Sequence, residues 1–535
     1  MQRDVYLARI VLLFLCVVGA FTALGVHLYN LQIVRHDELH AKARRKYTAY
    51  RSEAGARGLI FDVHGNPLAG NLACKDILAE PRRFRKDLHQ VVSALSRHLE
   101  IKPAVLYRRF QRAFSGENKV VEMVVKRRVD LSAARAVEQY SFPGIRLVDT
   151  YQRYYPKGAM LANLLGYVSY RYGEEGPSPI RGAAGIERLY DKALSPTELR
   201  QQYERDRVGH QLQGAALEKS KPKNGANVYL TIDEPIQHIV EEELETLVES
   251  FNPQGAYAVM ADPSSGAILA WAQYPSYDPN EVESLLKDRS NLDRLGNHLL
   301  VYSFEPGSVM KGVAVAGALD YGVVGLDNVF DCEDGYWMYA RRPLRDSGHS
   351  FGELTVREIV QKSSNIGTAK IALLMGEDRL YQTLRRFGFG KPTGIGFGRE
   401  SVGIFRPLRD AHGRRRWDNL SITRFPIGQG ISVTPLQLLQ SYCALANGGL
   451  MMQLHVVDRI ESTDTGLTQI TEPKVKRRAV RPRAARQITR VLKLVTQEGG
   501  TAEKAAVPGY EVAGKTGTAQ KWVTPPDGGK GYYSH

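Results

Sequence analysis

Cysteine is scarce in this sequence of 535 residues, and its four cysteines lie far apart. Cys16, Cys74, Cys332 and Cys443 form no C-x-x-C pair, so neither a structural zinc site nor a dense disulfide framework is indicated. The histidines also lack H-E-x-x-H or a comparable ligand spacing. We therefore expect no metal and no cofactor, and a fold that is stabilised by packing.

Positive charge is in excess, with a formal net charge of +15 at pH 7 and an isoelectric point near 9.4. Such a balance raises the question of a nucleic-acid partner. The basic residues are dispersed, however, and no recognition motif, zinc-knuckle spacing or aromatic RNA-binding signature accompanies them. We expect no nucleic acid and interpret these residues as solvated faces near an anionic membrane or wall surface.

The length and composition are those of a folded protein with more than one core. Hydrophobic residues make up 43% and charged residues 24% of the chain, the balance of a globular protein. Because domains usually contain about 100–200 residues, two or three domains are expected.

One long apolar segment, residues 10–28, lies near the N-terminus. At a rise of about 1.5 Å per residue it can cross a hydrocarbon core of about 30 Å. A cleavable signal peptide is the alternative, but it would have a shorter apolar region followed directly by an A-x-A-like site, which is not found at that place. The sequence predicts a cytoplasmic tail over residues 1–9 and an uncleaved transmembrane anchor over residues 10–30.

Residues 31–225 are predicted to form a pedestal domain of the α+β class. A hairpin is expected over residues 57–69, and two amphipathic helices over residues 86–99 and 103–114. The polar, basic run at residues 201–224 is typical of a linker and marks the domain boundary.

Residues 226–535 have the pattern of a compact α/β domain. Apolar alternation and periodicity predict strands at residues 227–232, 256–261 and 267–272, and helices at residues 309–319, 356–374 and 435–446.

Three short motifs occur in this second domain in one order: S-x-x-K at Ser308, S-x-N at Ser363 and K-T-G at Lys515. Each is weak alone, because S-x-x-K also occurs at Ser220 and Ser284. Ser308 differs in context, since Glu-Pro-Gly precedes it and a run of small apolar residues follows. That context predicts the N-terminus of a buried helix. Ser220 lies in the linker and Ser284 among charged residues, so both are expected at the solvated surface.

Lys311 lies one helical turn after Ser308, on the same face. A serine hydroxyl is a poor nucleophile unless a base lies within hydrogen-bond reach. A lysine can be that base only where burial or a neighbouring cation lowers its pKa. A buried helix with a second lysine nearby would supply both conditions.

Two rival motifs are rejected on their context. Residues 509–516 fit the phosphate-loop pattern G-x-x-x-x-G-K-T, but no hydrophobic strand precedes them, no helix pattern follows, and Glu511 would place a carboxylate in the phosphate cradle. Residues 348–352 fit the nucleophile elbow G-x-S-x-G, but the arginine-rich residues before them are no buried strand. His349 and Ser350 are therefore predicted to be turn residues.

The ordered trio resembles that of the penicillin-binding proteins and related serine enzymes. Further segments, at residues 57–69, 153–156 and 182–191, are similar to the three non-catalytic motifs of class B penicillin-binding proteins. Within that class the surroundings of the trio look most like the division-specific septal peptidoglycan transpeptidase. The resemblance implies a penicillin-binding/β-lactamase-like fold for the serine transpeptidase domain.

The resemblance also implies the role of each site residue. Ser308 would be the nucleophile, Lys311 its base and Ser363 a proton relay, while Asn365 would hold the amide groups of the peptide. Substrate binding would further involve Lys515, Thr516, Gly517 and Thr518. The oxyanion would be received by the backbone N–H groups of Ser308 and Thr518. Lys515 is expected on an edge strand.

The implied function is D,D-transpeptidation of stem peptides that end in D-Ala-D-Ala during septal cell-wall synthesis, with β-lactams as inhibitors. Expected partners are a membrane glycan polymerase and other division proteins. The catalytic domain would lie outside the cytoplasmic membrane. An elongation-type class B transpeptidase and a non-catalytic β-lactam sensor or structural partner are the alternatives.

The resemblance raises a further expectation about the end of the chain. In the family, the strand with K-T-G continues into further strands and a helix, whereas this sequence stops at His535. We therefore expect a transpeptidase domain that is C-terminally incomplete.

Overall fold

The fold is seen in a computed structural model that describes residues 2–115, 122–170, 180–204, 223–523 and 531–534. By its internal contacts the chain divides into two compact units. The first consists of Met1–Gly55, Glu174–Pro177 and Pro196–Asn224. The second consists of Ala56–Gly173, Ser178–Ser195 and Gly225–His535.

The α-helices of the described residues run from α1 to α19. They are α1 Gln2–Tyr29, α2 His36–Tyr47, α3 Leu88–Leu99, α4 Pro103–Ser115, α5 Leu131–Glu138, α6 Ala162–Leu165, α7 Gly185–Leu189, α8 Asp191–Leu194, α9 Glu234–Phe251, α10 Val282–Leu285, α11 Leu292–Leu295, α12 His298–Val301, α13 Met310–Asp320, α14 Val356–Gln361, α15 Asn365–Met375, α16 Glu377–Arg386, α17 Ser421–Arg424, α18 Pro435–Ala446 and α19 Pro482–Leu494. A π-helical turn lies at Asn30–Val34.

The strands of the described residues run from β1 to β21. They are β1 Thr48–Ala54, β2 Ile60–Phe61, β3 Pro67–Ala79, β4 Met123–Val129, β5 Ile145–Tyr154, β6 Val168–Tyr170, β7 Ile180–Gly182, β8 Glu198–Glu204, β9 Asn227–Leu230, β10 Ala256–Ala261, β11 Ile268–Tyr274, β12 Val329–Asp331, β13 Tyr336–Tyr339, β14 Arg342–Arg345, β15 Glu353–Thr355, β16 Leu450–Met452, β17 Val457–Glu461, β18 Thr468–Ile470, β19 Val475–Arg478, β20 Gln520–Val523 and β21 Gly531–Ser534.

The first unit contains the apolar N-terminal helix. Within the described residues, Leu7–Val34 is the one helical stretch that is long and apolar enough to cross a membrane, with a mean hydropathy of 2.4 and no buried part. This finding agrees with the predicted membrane anchor. In the same unit β1 pairs antiparallel with β8. Most of the predicted linker, at residues 205–222, lies outside the described residues.

The second unit is organised around a seven-stranded sheet with the order β18-β17-β9-β2-β3-β4, in which β5 also pairs with β3. The predicted hairpin is confirmed, because β2 and β3 pair antiparallel with Ile60 opposite Ala69. β2 also pairs parallel with β9. The hairpin of the predicted pedestal and the first strand of the predicted catalytic domain therefore belong to one sheet.

The second unit has separate apolar cores. One lies in the pedestal, where α3, α4 and α5 pack with β3 and β4 around side chains such as Phe84 and Phe110. The largest core surrounds α13, all of whose residues are buried. Small residues allow the close approach of the neighbouring helices, since a Cβ on Gly317 would lie 2.4 Å from Cγ2 of Thr383 on α16.

A buried ion cluster connects the three pedestal segments that carry the family resemblance. Arg57 Nε lies 2.7 Å from Glu187 Oε2, and Arg153 Nε lies 2.6 Å from Glu187 Oε1. Asp191 Oδ1 lies 2.7 Å from Arg57 Nη1. Segments that are far apart in the sequence are thereby joined by charge-assisted hydrogen bonds, which are the strong ones.

One predicted helix is wrong in its continuity. Residues 356–374 form two helices, α14 and α15, separated by a break in which Ser363 has a left-handed backbone with φ of +61°. The break arises because Ser364 caps the second helix, its Oγ accepting a hydrogen bond from Gly367 N at 3.0 Å. The predicted helix at residues 435–446 is confirmed as α18.

Candidate active site

Ser308 lies in a 3-10 turn, Gly307–Val309, that leads directly into the buried helix α13. The turn is held from outside: Gly307 N donates to Gly428 O at 3.2 Å, and Tyr442 Oη donates to Val309 O at 2.8 Å. The prediction that Ser308 sits at the start of a buried helix is confirmed. Its backbone N–H therefore belongs to the positive end of a helix dipole.

Lys311 is fully buried, and its amine points to the break between α14 and α15. Its Nζ donates to the backbone oxygen of Ser363 and lies 3.1 Å from Ser363 Oγ. Burial, and secondarily the charge of Lys515, hold the pKa of Lys311 well below its usual range, while Asp346 offsets part of that shift. The neutral amine is thus favoured, as a base requires.

The left-handed backbone of Ser363 is what turns its carbonyl and hydroxyl oxygens toward Lys311. A φ of +61° is uncommon for a residue with a side chain, so the surrounding structure must stabilise it. Asp346 contributes to this, because its carboxylate accepts from Ser364 Oγ at 2.9 Å and from the backbone N–H groups of Asn365 and Ile366.

Asp346 was missed by the sequence reasoning. It is nearly buried and lies at the N-terminus of α15, where a carboxylate is favoured by the helix dipole. No motif includes it, and the sequence indicated only an acidic residue after an arginine-rich strand.

The side-chain amide of Asn365 is oriented by the backbone of β14. Asn365 Nδ2 donates to Arg345 O at 2.7 Å. Among the described residues no group donates to Asn365 Oδ1, so this oxygen can accept a hydrogen bond from a ligand.

The K-T-G segment lies against the turn of Ser308. A Cβ on Gly517 would lie 2.6 Å from Val309 Cγ2 and 2.8 Å from Pro306 O. A Cβ on Gly307 would lie 2.4 Å from Thr518 O. Only glycine fits at these two places, so the backbone of Thr518 passes directly beside Ser308.

Burial lowers the pKa of Lys515 to about 8. Its Nζ lies 3.1 Å from Thr516 O and 3.3 Å from Thr516 Oγ1. Thr516 Oγ1 is also 2.9 Å from Thr501 Oγ1, a second residue that no motif indicated. Lys515 therefore faces the same region as Lys311, whose pKa its charge lowers.

The expected edge strand at Lys515 is wrong for the described residues. Residues 511–519 form no strand, and the backbone contacts of the segment go elsewhere: Gly514 N donates to Leu492 O at 3.2 Å, and Val512 O accepts from Thr496 Oγ1 at 2.7 Å. A strand requires a ladder partner, and here the end of α19 takes that place.

The two rejected motifs lack the structural context that they require. No helix opens after Thr516, as a phosphate loop would require, and β14 before His349 and Ser350 is exposed on one face. Ser284 is exposed on the short helix α10, whereas Ser220 lies outside the described residues. Within the described residues no group of three His, Cys, Asp or Glu side chains could hold a metal ion.

Comparison with known families agrees with this geometry. Residues 256–534 match the penicillin-binding protein transpeptidase domain, and residues 52–230 match the penicillin-binding protein dimerisation domain. The chain belongs to the penicillin-binding protein family. The resemblance of its motifs to that family is thereby confirmed.

Relatives of this penicillin-binding protein extend over nearly its whole length. The chain is 29% identical to peptidoglycan D,D-transpeptidase FtsI of Escherichia coli, over 97% of this chain and 82% of the relative. It is 29% identical to stage V sporulation protein D of Bacillus subtilis, over 95% of this chain and 76% of the relative.

Solved structures share the fold of this penicillin-binding protein. Penicillin-binding protein 2X from Streptococcus thermophilus has a TM-score of 0.72 at 23% identity, over 90% of this chain and 73% of that one. Penicillin-binding protein 3 from Mycobacterium tuberculosis, complexed with aztreonam, has a TM-score of 0.64 at 24% identity, over 90% of this chain and 86% of that one. The predicted fold class, a pedestal followed by a penicillin-binding transpeptidase domain, is confirmed.

Proposed function

We propose that this penicillin-binding protein is a peptidoglycan D,D-transpeptidase that cross-links stem peptides through an acyl-enzyme on Ser308. The observation that carries the proposal is the buried amine of Lys311, which is held at Ser363 one turn from Ser308 and has a lowered pKa. The names of the relatives, which include peptidoglycan D,D-transpeptidases, support the same reaction.

In the first step Ser308 Oγ attacks the carbonyl carbon between the two terminal D-alanines. Lys311 Nζ accepts the hydroxyl proton because its neutral form is favoured. The peptide bond breaks, and the departing D-alanine amine receives a proton through Ser363 Oγ, which lies 3.1 Å from Lys311 Nζ. An ester between Ser308 and the peptide remains.

In the second step the amine of a neighbouring stem peptide attacks that ester. The new amide bond forms, the bond to Ser308 Oγ breaks, and the proton of the amine returns to the serine through the same two groups. The released serine is then ready for another cycle.

The remaining site residues bind the peptide. Asn365 accepts from its amide groups through Oδ1, and Lys515, with Thr516 and Thr518, binds the terminal carboxylate. Gly517 allows the K-T-G segment to lie against the turn of Ser308, where the peptide is bound. The backbone N–H groups of Ser308 and Thr518 receive the oxyanion, and the helix dipole assists at Ser308.

The cellular role that the resemblance supports is septal cell-wall synthesis, with an elongation-type role as the alternative. Residues 1–9 would form the cytoplasmic tail, 10–30 the anchor, 31–225 the pedestal and 226–535 the catalytic domain outside the membrane. A membrane glycan polymerase and other division proteins are the proposed partners. The septal or lateral position of a fluorescent fusion distinguishes the two roles, and protease added to spheroplasts should degrade the catalytic domain.

The reaction is tested with the purified full chain, a peptide that ends in D-Ala-D-Ala and an acceptor amine. We expect release of D-alanine and formation of the cross-linked amide, both abolished in Ser308→Ala and both retained in Ser284→Ala. Binding of penicillin without turnover of the peptide would identify a sensor and would contradict a transpeptidase.

A further inference from the structure

The hairpin β13–β14 lies directly beside Asn365. Its backbone is tied to the site, because Arg345 O accepts from Asn365 Nδ2 at 2.7 Å and Pro343 O accepts from Arg424 Nη2 at 3.0 Å. Between Tyr336 and Arg345 the hairpin carries three arginines and no acidic residue. At the end of this hairpin Arg345 therefore places a positive charge next to Asn365, which contacts the donor peptide in the proposed function.

The two faces of the hairpin differ. Trp337, Tyr339 and Leu344 pack against the core around α13, which fixes the hairpin in place. The opposite face exposes two cross-strand pairs, Tyr336 with Arg345 and Met338 with Pro343.

Arg345 is arranged for binding, and none of the acidic residues that the structure describes pairs with it. Its guanidinium carbon lies 5.1 Å from the centre of the Tyr336 ring, within the range of a cation–π contact. The adjacent carboxylate of Asp346 is directed into the site, where Ser364 and Asn365 bind it. In the part of the chain that the structure describes, Arg345 makes no ion pair.

The tip of the hairpin is strained. Ala340 has φ of +48° and Arg341 has φ of +61°, the left-handed conformations of a two-residue turn that normally favours asparagine and glycine. Strain of this kind is commonly kept at ligand-binding segments. Here it keeps the hairpin short, and the exposed Arg341 and Arg342 lie at its tip.

We propose that this exposed face selects the donor stem peptide, with Arg345 binding a side-chain carboxylate on the residue that precedes the two D-alanines. The inference rests on the proposed function. Successive residues of an extended peptide are about 3.3 Å apart, so a side chain one residue before the amide held by Asn365 reaches the hairpin. A guanidinium binds a carboxylate through two parallel hydrogen bonds, and the stacked Tyr336 ring pre-organises it. Met338 and Pro343 contact the aliphatic part of the same side chain.

The test compares two synthetic peptides that end in D-Ala-D-Ala and differ only in the preceding side chain, which ends in a carboxylate or in the matching carboxamide. The full chain is used, and kcat/KM for release of D-alanine is measured at low and high salt. We expect the carboxylate peptide to react about tenfold faster, because solvent screens an ion pair at the exposed Arg345, and we expect the ratio to fall at high salt.

Arg345→Gln should reduce this ratio to about one while the rate of acylation by penicillin stays unchanged. Arg483→Gln, which alters an exposed arginine on α19, is the matched control and should retain the ratio. Equal rates for the two peptides with the unaltered chain, or an undiminished ratio in Arg345→Gln, would overturn the proposal. If neither peptide reacts although penicillin labels the chain, the proposed function fails as well, which is a distinct result.

Discussion

Two regions of this protein bury charged side chains, and they treat the charge in opposite ways. In the pedestal, Arg57, Arg153 and Glu187 are fully buried and paired with one another. Burial alone would lower the pKa of Arg57, but Glu187 and Asp191 raise it above its usual value. In the active site, Lys311 is equally buried but faces another lysine, and its pKa is lowered.

The difference separates a structural charge from a reactive one. A buried ion that is paired and hydrogen-bonded keeps its charge and holds segments together. A buried amine without such a partner loses its proton readily and becomes a base. The site therefore depends on leaving Lys311 without an ion-pair partner, whereas the pedestal cluster depends on the pairing of both arginines with Glu187.

The largest effect is expected when Lys311 is given a permanent charge. Lys311→Arg cannot accept the serine proton, because a guanidinium stays protonated at any working pH. We expect the rate of acylation by fluorescent penicillin to fall by about 10²–10⁴-fold, the usual contribution of a general base. Lys370→Arg, which keeps the charge of a half-buried lysine on α15 that pairs with Glu333, is the control and should acylate normally. An acylation rate of Lys311→Arg within tenfold of the original would contradict the role of Lys311 as the base.

The next largest effect concerns stability. Glu187→Gln removes the carboxylate that both buried arginines share, so it should cost about 3–5 kcal/mol in the free energy of unfolding. Denaturant unfolding measures this loss. Glu283→Gln, which breaks a more exposed pair with Arg128, should cost about 1 kcal/mol or less. Equal losses for the two variants would show that the pedestal cluster contributes no more than a surface pair.

A smaller effect is expected at Lys515, which needs only a positive charge. Lys515→Arg should retain acylation to within about tenfold, since a guanidinium also binds a carboxylate. Because the pKa of Lys515 is about 8, the KM of the original chain for a D-Ala-D-Ala peptide should rise as the pH passes above 8. The arginine variant should lack that rise. A KM independent of pH in the original chain would argue against this role.

The smallest effect is a pH dependence of stability. The pKa of Lys311 is lower in the folded than in the unfolded chain, so unfolding takes up a proton as the pH falls below about 10.5. Lys311→Met removes this contribution. The melting temperature of the variant relative to the original should therefore increase as the pH falls from about 10 toward neutrality. A constant difference over that range would mean that Lys311 stays charged when folded.

The sequence predicted the parts of the site that local pattern encodes. The small apolar residues of α13 indicated a buried helix that begins at Ser308, and the same burial explains the lowered pKa of Lys311. It did not predict the break before α15, because apolar residues suited to a buried helix occur on both sides of Ser363 and no proline separates them. Only the cap at Ser364 signals it.

The sequence pattern did not predict the contacts between distant segments. Asp346 and Thr501 belong to no motif, and their importance comes from what they touch: the N-terminus of α15 and the hydroxyl of Thr516. The K-T-G segment is a further example, since the backbone groups that it contacts lie at the end of α19 and are not indicated by the motif.

The most direct test of the account is to locate the acyl group on the chain. The full chain is labelled with penicillin, digested, and analysed by tandem mass spectrometry. We expect a single acyl adduct on Ser308, which disappears in Ser308→Ala and forms far more slowly in Lys311→Arg. An adduct on Ser363 or Ser284, or undiminished labelling of Ser308→Ala, would contradict it.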